Sequence, residues 1–422
     1  MKTELSFSIA TLGCRANQAD SDRLRAILQS AGFEEKPFGE KVDCAVVNTC
    51  TVTAEADRKS RQLLRRALRV LPPEGKVVAT GCAVADRGGV NKLPKSTLRL
   101  PPERREDILS LLDVEQCPGR ESVPALSAKT RALLKIQDGC DQFCTFCIVP
   151  YVRGRSRSVS IDETVKKAKE FEENGYAELV LTGIHLSIWG HDIDGTPDLS
   201  HLVEAILDAT EHIQIRISSV EPDRFPLRLV TLMAKNPRVC PFLHLVLQHA
   251  SDKILDRMHR GYDLQTYQTI IDSFFKDVPL ATLSSDIMIG FPGEDEQDHR
   301  ALMRFLRKTN YHHLHVFPYS IRPGTSASKF RDQVPVEIKK KRRNEVLSLG
   351  KKLKIKSLQS MYGKTVDTIF ENEIRPGWLK GTTINGMSLL CKAGPVALHK
   401  KVPVTVERRL GLDLVGKLDY KL

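Results

Sequence analysis

The feature that most constrains this chain is the run Cys140-Asp141-Gln142-Phe143-Cys144-Thr145-Phe146-Cys147, whose cysteines are spaced C-x3-C-x2-C. A zinc site usually closes a tetrahedron with four protein ligands, often as two paired C-x2-C knuckles, whereas three thiolates on a [4Fe-4S] cluster leave one iron open. An open iron can bind a small molecule and pass it one electron. A zinc knuckle, or a set of unrelated buried thiols, is the plainer alternative. The flanks favour the cluster. Residues 133–136 are a short apolar run that predicts a strand, so the cysteines fall on the loop leaving its carboxyl end, where α/β barrels carry their chemistry. Phe146, next to the third cysteine, is placed to shield a cluster from water.

With 422 residues, 41% of them hydrophobic and 27% charged, the chain is long enough for two or three domains. No apolar run approaches the roughly 18 residues of a membrane span, and MKTELSFSIATLG lacks a basic region followed by an apolar core, so a cytoplasmic protein is expected. Ten cysteines in that compartment favour metal ligation or catalysis over disulfides. A net charge of +12 points to a polyanionic partner, although many proteins with that balance bind no nucleic acid.

Residues 1–115 alternate strand and helix. Residues 7–12, 42–48 and 76–80 read as strands, and 20–30 and 54–70 as helices, which makes a small α/β sandwich with a parallel sheet. The strands end in TLGC, NTC and TGC. In a parallel sheet all carboxyl ends lie along one edge, so Cys14, Cys50 and Cys82 can converge on a second cluster with an open iron. Gly13 and Gly81 let the backbone approach such a bulky group. Against this stands the frequency of buried cysteine near strand ends. Cys44, Cys117, Cys240 and Cys391 lack such placement, and Cys44 reads as core filling. The second helix carries Arg58, Lys59, Arg61, Arg65, Arg66 and Arg69, either a solvated face or a phosphate-contacting one. Residues 84–129, with no lasting period, read as a variable domain end and a linker.

Strand and helix signals alternate again over 131–349. A helix at 161–174 opens at Ser160 and stops at Gly175; strands are expected at 178–182, 213–218, 242–247, 282–290 and 313–317, and a helix at 201–210. Such repetition gives a barrel, or part of one, with the cysteine loop at its mouth. Its strand ends hold Thr182, Gly183, Ser218, Glu221, Gln248, Ser251, Asp286 and Gly290, which suit a nucleoside cofactor bearing an amino group, a carboxylate and a ribose diol. Any of them could instead be ordinary turn residues. A basic helix at 337–356 follows, then short runs at 365–371, 378–384, 388–390 and 402–407, which read as a small antiparallel barrel suited to RNA or serving as a solubilising appendage.

The run C-x3-C-x-Phe-C after a strand resembles the radical S-adenosylmethionine superfamily. Over nearly its whole length the chain resembles the methylthiotransferases, and TLGCRANQADSD, NTCTVTAEADRKSR and ATGC are most similar to the MtaB-like branch that acts on N6-threonylcarbamoyladenosine in tRNA. Branches acting on isopentenyl-adenosine in tRNA, or on an aspartate of a ribosomal protein, are the alternatives. The resemblance implies a methylthiotransferase domain at 1–115, a radical S-adenosylmethionine barrel at 126–355 and a TRAM-like RNA-binding domain at 357–422. It implies two [4Fe-4S] clusters, an auxiliary one on Cys14, Cys50 and Cys82 and a radical one on Cys140, Cys144 and Cys147. S-adenosylmethionine would meet Phe146 and the strand-end residues named above. The implied partners are tRNA, an external sulfur source and an electron donor. The implied reaction abstracts hydrogen from C2 of adenine with a 5′-deoxyadenosyl radical and inserts a methylthio group there. The chain departs from the family pattern at His249-Ala250 and has a short linker around Pro118. A non-catalytic iron–sulfur protein that binds RNA would yield no 5′-deoxyadenosine, and a zinc protein would purify colourless.

Overall fold

The computed structural model describes residues 5–84, 93–114, 130–392 and 398–419. The strand Cys44–Thr49 is buried along its whole length because both its faces are covered. Cys44 and Val46 join one core with Phe7, Leu24 and Leu28, while Ala45 and Val47 join another with Leu64 and Ala67. It is the centre of a 5-stranded sheet in the order Glu34–Glu35, Ser6–Thr11, Cys44–Thr49, Lys76–Gly81, Leu98–Arg99, with every pair parallel. Cover on both faces is why these strands read as unbroken apolar runs.

The helix Arg15–Ser30 starts earlier than the expected residue 20. Cys14 is its N-cap and makes no side-chain cap bond, so the usual start signal is missing. The helix Ala54–Val70 has that signal: the Thr53 side chain accepts from the Ala56 N–H. Part of the expected linker is built into this unit. Leu98–Arg99 is its edge strand, and Ile108 and Leu109 of the short helix Ile108–Leu111 enter its core. Cys117 and Pro118 lie outside the described residues.

In the central unit Arg131–Lys135, Glu178–Thr182 and Gln214–Ile217 form a 3-stranded sheet, and Ser219–Val220, Phe242–Leu245, Thr282–Ile289 and Tyr311–Pro318 a 4-stranded one. All pairs are parallel. The sheets meet at Ser218, where the strand expected at 213–218 stops one residue short at Ile217, and together they curve into a part-open barrel. Leu179, Leu181, Ile215, Leu243 and Ile287 face the outer helices in one large core. The alternate residues, among them Glu178, Arg216, His244 and Asp286, therefore face the lumen. The helix Arg15–Ser30 packs on the first edge strand and the helix Val336–Gln359 on the last, so both open edges are covered.

The C-terminal unit is a closed barrel of Thr365–Arg375, Trp378–Thr383, Ser388–Lys392, Asp413–Leu418 and Lys401–Leu410. It is not purely antiparallel, since Ser388–Lys392 and Asp413–Leu418 pair in parallel. The strand Asp413–Leu418 gave little signal because it is short and carries Gly416, where a Cβ would stand 2.6 Å from Val404 Cγ1. This barrel caps the amino end of the lumen: Arg216 Nη2 donates to Thr383 O at 3.2 Å, and Arg131 pairs with Glu371 at 2.9 Å. Among the described residues no helix is long and apolar enough to cross a membrane.

Candidate functional site

The N-terminal triplet is built by register. Thr11 pairs with Asn48 and Asn48 with Thr80, so three neighbouring strands end level and Cys14, Cys50 and Cys82 follow at one edge. Asn17 fastens that edge, with its Nδ2 donating to Leu12 O at 2.7 Å and Thr49 O at 2.9 Å. Asn48 Nδ2 returns a bond to Asn17 O at 2.7 Å. Gly13, at φ +104°, lies against Cys50: a Cβ there would stand 3.1 Å from Cys50 Cβ and 3.2 Å from its Sγ. Burial pushes the Cys50 thiol up to about 11, and Cys82 and Cys14 add to this as like charges. Cys82 is raised by burial too, with Arg153 opposing. A positive group bound beside Cys50 and Cys82 would reverse those shifts, which is the behaviour of metal-ligating cysteines.

Gly81 shows how closely the edge is packed. It sits at φ +84°, and a Cβ would come within 2.4 Å of Thr49 O, whereas Gly32, at φ +85°, has nothing within 4 Å. Gly32→Ala is therefore expected to cost only the backbone penalty, about 1–2 kcal/mol, and Gly81→Ala clearly more. Thermal unfolding of the two variants checks this, and equal losses would contradict the close approach.

The second triplet sits on the loop after Arg131–Lys135. Its base is the small antiparallel pair Gln137–Asp138 and Arg157–Ser158, and Cys140 N donates to Gly154 O at 3.1 Å. Phe143 takes φ +48°, Thr145 N donates to Met258 O at 3.0 Å and Thr145 Oγ1 to Arg257 O at 2.9 Å, which turns the loop back on the barrel. The thiols accept rather than float: Gln142 N donates to Cys140 Sγ at 3.5 Å, Val149 N to Cys147 Sγ at 3.4 Å and Arg260 Nη1 to Cys144 Sγ at 3.2 Å. Burial pushes Cys140 up to about 11 and Cys147 to about 12. Phe146 lies edge-on to Phe291 at 6.3 Å, within an apolar cluster that also holds Met258 and Met288. Among the described residues no three metal-ligating side chains close on a single ion. A four-iron cube asks instead for thiols spread round its corners; both triplets offer thiols with N–H donors beside them, and Gly13 keeps the first one open beside Cys50.

Two arginines that sequence reasoning missed bond these thiols, and one of them, Arg153, ties the two sites together. Arg153 is buried at the end of the short helix Val149–Arg153 that follows Cys147, and its Nε donates to Cys82 Sγ of the other triplet at 3.4 Å. Its Nη1 donates to Asp138 at 2.8 Å, and its Nη2 reaches Asp20 at 3.4 Å and also bonds Asn17. Burial alone would raise Asp138; Lys135 and Arg153 more than reverse this and hold it well below the usual carboxylate range. Arg260, which donates to Cys144, also bonds Glu221. The two arginine–thiol bonds join residues 71 and 116 positions apart, respectively, so no local pattern announces them.

The residues expected to meet the cofactor divide. Gln137 Oε1 accepts from Ile184 N and His185 N, both at 2.9 Å, and so fixes the turn after Thr182 and Gly183. His185 brings Nδ1 to 3.5 Å from Cys140 Sγ, and burial lowers it to about 3. Ser218 Oγ bonds Thr182 Oγ1 at 3.4 Å, and Glu221 reaches the cysteine loop through Arg260. Gln248 holds φ +59° with a buried, unpartnered Oε1. Asp286 faces His244 at 3.3 Å and His315 at 3.5 Å. Ser251 Oγ bonds Asp298 at 2.7 Å, and Gly290 abuts Lys339, where a Cβ would meet Cγ at 2.3 Å. Packing accounts for the settings of Ser251 and Gly290 without a cofactor.

The other cysteines are structural in setting. Cys44 is core, pushed up to about 12 by burial, Cys240 lies 3.8 Å from Glu178 Oε2, and Cys391 is inside the C-terminal barrel. The arginine-rich helix is part paired and part free to meet a polyanion: Arg58 bridges Glu55 at 2.7 Å, whereas Arg65 and Arg69 are exposed.

Residues 134–306 match the radical SAM superfamily and residues 6–97 the uncharacterized protein family UPF0004. The chain is 32% identical over 419 residues to the threonylcarbamoyladenosine tRNA methylthiotransferase MtaB of Bacillus subtilis, covering 94% of this chain and 92% of that one. It is 34% identical to the MtaB of Aquifex aeolicus over 88% and 94% of the two chains. It is 30% identical to the tRNA-2-methylthio-N(6)-dimethylallyladenosine synthase of Pelotomaculum thermopropionicum over 98% of both. Among solved structures, the radical S-adenosylmethionine methyltransferase TsrM from Kitasatospora setae, with cobalamin and a [4Fe-4S] cluster bound, shares the fold with a TM-score of 0.53 at 13% identity, covering 90% of this chain and 80% of that one. With both domain matches in the order that the cysteine triplets occupy, and full-length relatives at this identity, the chain belongs to the methylthiotransferase family of radical S-adenosylmethionine enzymes.

Proposed function

We propose that this enzyme inserts a methylthio group at C2 of N6-threonylcarbamoyladenosine in the anticodon loop of tRNA. The observation that carries the reading is Arg153. It leaves the loop of one cysteine triplet and bonds a thiol of the other, so the two triplets share a wall and one substrate can meet both. Full-length MtaB relatives support the threonylcarbamoyl branch over the dimethylallyl one, which also has relatives of the family.

In this reading Cys140, Cys144 and Cys147 would hold one [4Fe-4S] cluster and Cys14, Cys50 and Cys82 a second; when bound, they would supply, respectively, the electron for cleaving S-adenosylmethionine and a site for presenting sulfur. The chain's own residues position and shield. Gln142 N, Val149 N and Arg260 stabilise thiolates by hydrogen bonding, Phe146 and Phe291 exclude water, and Glu221 with Gln248 offers acceptors for the amino and ribose groups of S-adenosylmethionine. A sulfur source and an electron donor come from outside, in the cytoplasm. Mass spectrometry of tRNA nucleosides tests the assignment. A strain lacking the gene should lose 2-methylthio-N6-threonylcarbamoyladenosine alone and regain it on complementation, and loss of the isopentenyl product instead would contradict it.

The tRNA is gripped through phosphates by the exposed basic faces. Because the C-terminal barrel caps Arg216 and Arg131, deleting it would disturb the lumen, and surface charge changes are the cleaner probe. Arg65→Glu with Arg69→Glu should lower the slope of log K against log salt by roughly 0.7–0.9 for each phosphate that the helix no longer neutralises. An unchanged slope would remove that helix from the tRNA surface.

A further inference from the structure

The cysteine loop and the helix after it carry a surface that neither triplet uses. Phe143, between Cys140 and Cys144, meets Tyr151 edge-on with ring centroids 5.5 Å apart, and the Arg155 guanidinium lies over the Phe143 ring at 4.7 Å. Asp141 holds Arg155 at 3.3 Å, yet the Arg155 side chain is 74% exposed, and Tyr151 is 48% exposed. Beside them Arg157 donates to Arg155 O at 3.3 Å and to Arg153 O at 3.2 Å. It is exposed and, among the described residues, has no acidic partner, so its charge faces solvent unneutralised. Packing does not account for the two rings. Phe146, three residues on, belongs to an apolar cluster with Phe291, whereas Phe143 and Tyr151 belong to no such cluster among the described residues.

We propose that Phe143, Tyr151, Arg155 and Arg157 form a nucleotide site for one of the two neighbours of the modified adenosine, with its base stacked on the exposed rings and guanidinium and its phosphate on Arg157. The proposal rests on the tRNA reading above. Unpaired loop bases are held by stacking on aromatic rings or on arginine planes, and phosphates by cations, so the patch has the parts that a single-stranded nucleotide needs. Its place also fits. Tyr151 stands on the short helix Val149–Arg153, which starts two residues after Cys147 and ends at the arginine that bonds Cys82. An adenosine brought to both triplets therefore carries its neighbours, one phosphodiester away, to this helix.

The test uses the full enzyme with both clusters reconstituted and three anticodon stem-loops: one with N6-threonylcarbamoyladenosine in an intact loop, and two in which one or the other nucleotide beside it is abasic. Tyr151→Ala should weaken binding of the intact stem-loop roughly 5- to 150-fold, the worth of one stacked base, and Tyr151→Trp should keep the affinity. On one abasic stem-loop the wild type should already have lost that affinity and Tyr151→Ala should cost nothing more; on the other the cost should remain whole. Arg155→Ala should follow the same pattern, and because its side chain is exposed it carries the test if Tyr151→Ala loses iron. Arg157→Gln should lower the slope of log K against log salt by roughly 0.7. Undiminished affinity in both alanine variants, a loss of the same size on all three stem-loops, or an unchanged slope would overturn the proposal. Failure of the parent reading looks different: a wild type that binds none of the stem-loops would sink the tRNA reading and this surface with it, whereas one that binds and modifies the intact stem-loop without the coupling would sink this surface alone.

Discussion

Replacing Cys140, Cys144 and Cys147 together by alanine should leave about half of the iron bound by the wild type and abolish 5′-deoxyadenosine formation. The ground is that no thiol serves both triplets. One set stands at the level ends of three parallel strands and the other on a loop turned back by Thr145 and Cys140, and what joins them is an arginine rather than a shared ligand. Each triplet has its own supporting donors, Gln142 N, Val149 N and Arg260 for one and Arg153 for the other. Iron analysis and the visible spectrum of anaerobically reconstituted protein give the answer. Full retention of iron, or its complete loss from a folded variant, would contradict two independent sites.

Glu178→Gln should be among the most destabilising single changes in the chain. The carboxylate is fully buried and accepts both forks of Arg216 at 2.8 Å, with Arg131 at 2.7 Å and Cys240 Sγ at 3.8 Å. Burial would raise Glu178, and the arginines outweigh that and lower it, Arg216 first. Removing the charge strands the buried Arg216 guanidinium, which also holds the C-terminal barrel through Thr383 O, and leaves Arg131 with Glu371 as its one acidic partner. Breaking a buried pair from one side costs about 3–5 kcal/mol. Glu371→Gln, at a side chain 32% exposed, is the control and should cost no more than about 1 kcal/mol. Denaturant unfolding of both variants decides, and similar losses would show that the lumen pairs add little to stability.

The sequence was most informative where local physics decides. Strands buried on both faces read as apolar runs, and their common direction carried Cys14, Cys50 and Cys82 to one edge, which the register of Thr11, Asn48 and Thr80 realises. The helix start at Arg15 was hidden because cysteine at the cap gives no capping signal. That five-residue error concealed Asn17, which fastens the cysteine edge and bonds Arg153 of the next domain. Arg153 and Arg260 were illegible for a different reason: each acts on a thiol far away in the chain, and an arginine in a basic stretch looks like surface. The lumen lining was half legible, since Asp286 and Glu221 drew notice as strand-end acids while their partners His315 and Arg260 did not.

That one triplet makes the radical and the other delivers sulfur is tested most directly in the variant with Cys14, Cys50 and Cys82 changed to alanine. Given S-adenosylmethionine, a reductant and tRNA carrying N6-threonylcarbamoyladenosine, it should still release 5′-deoxyadenosine and form no methylthio product. Product at the wild-type yield, or loss of 5′-deoxyadenosine while Cys140, Cys144 and Cys147 retain their iron, would contradict the division of labour.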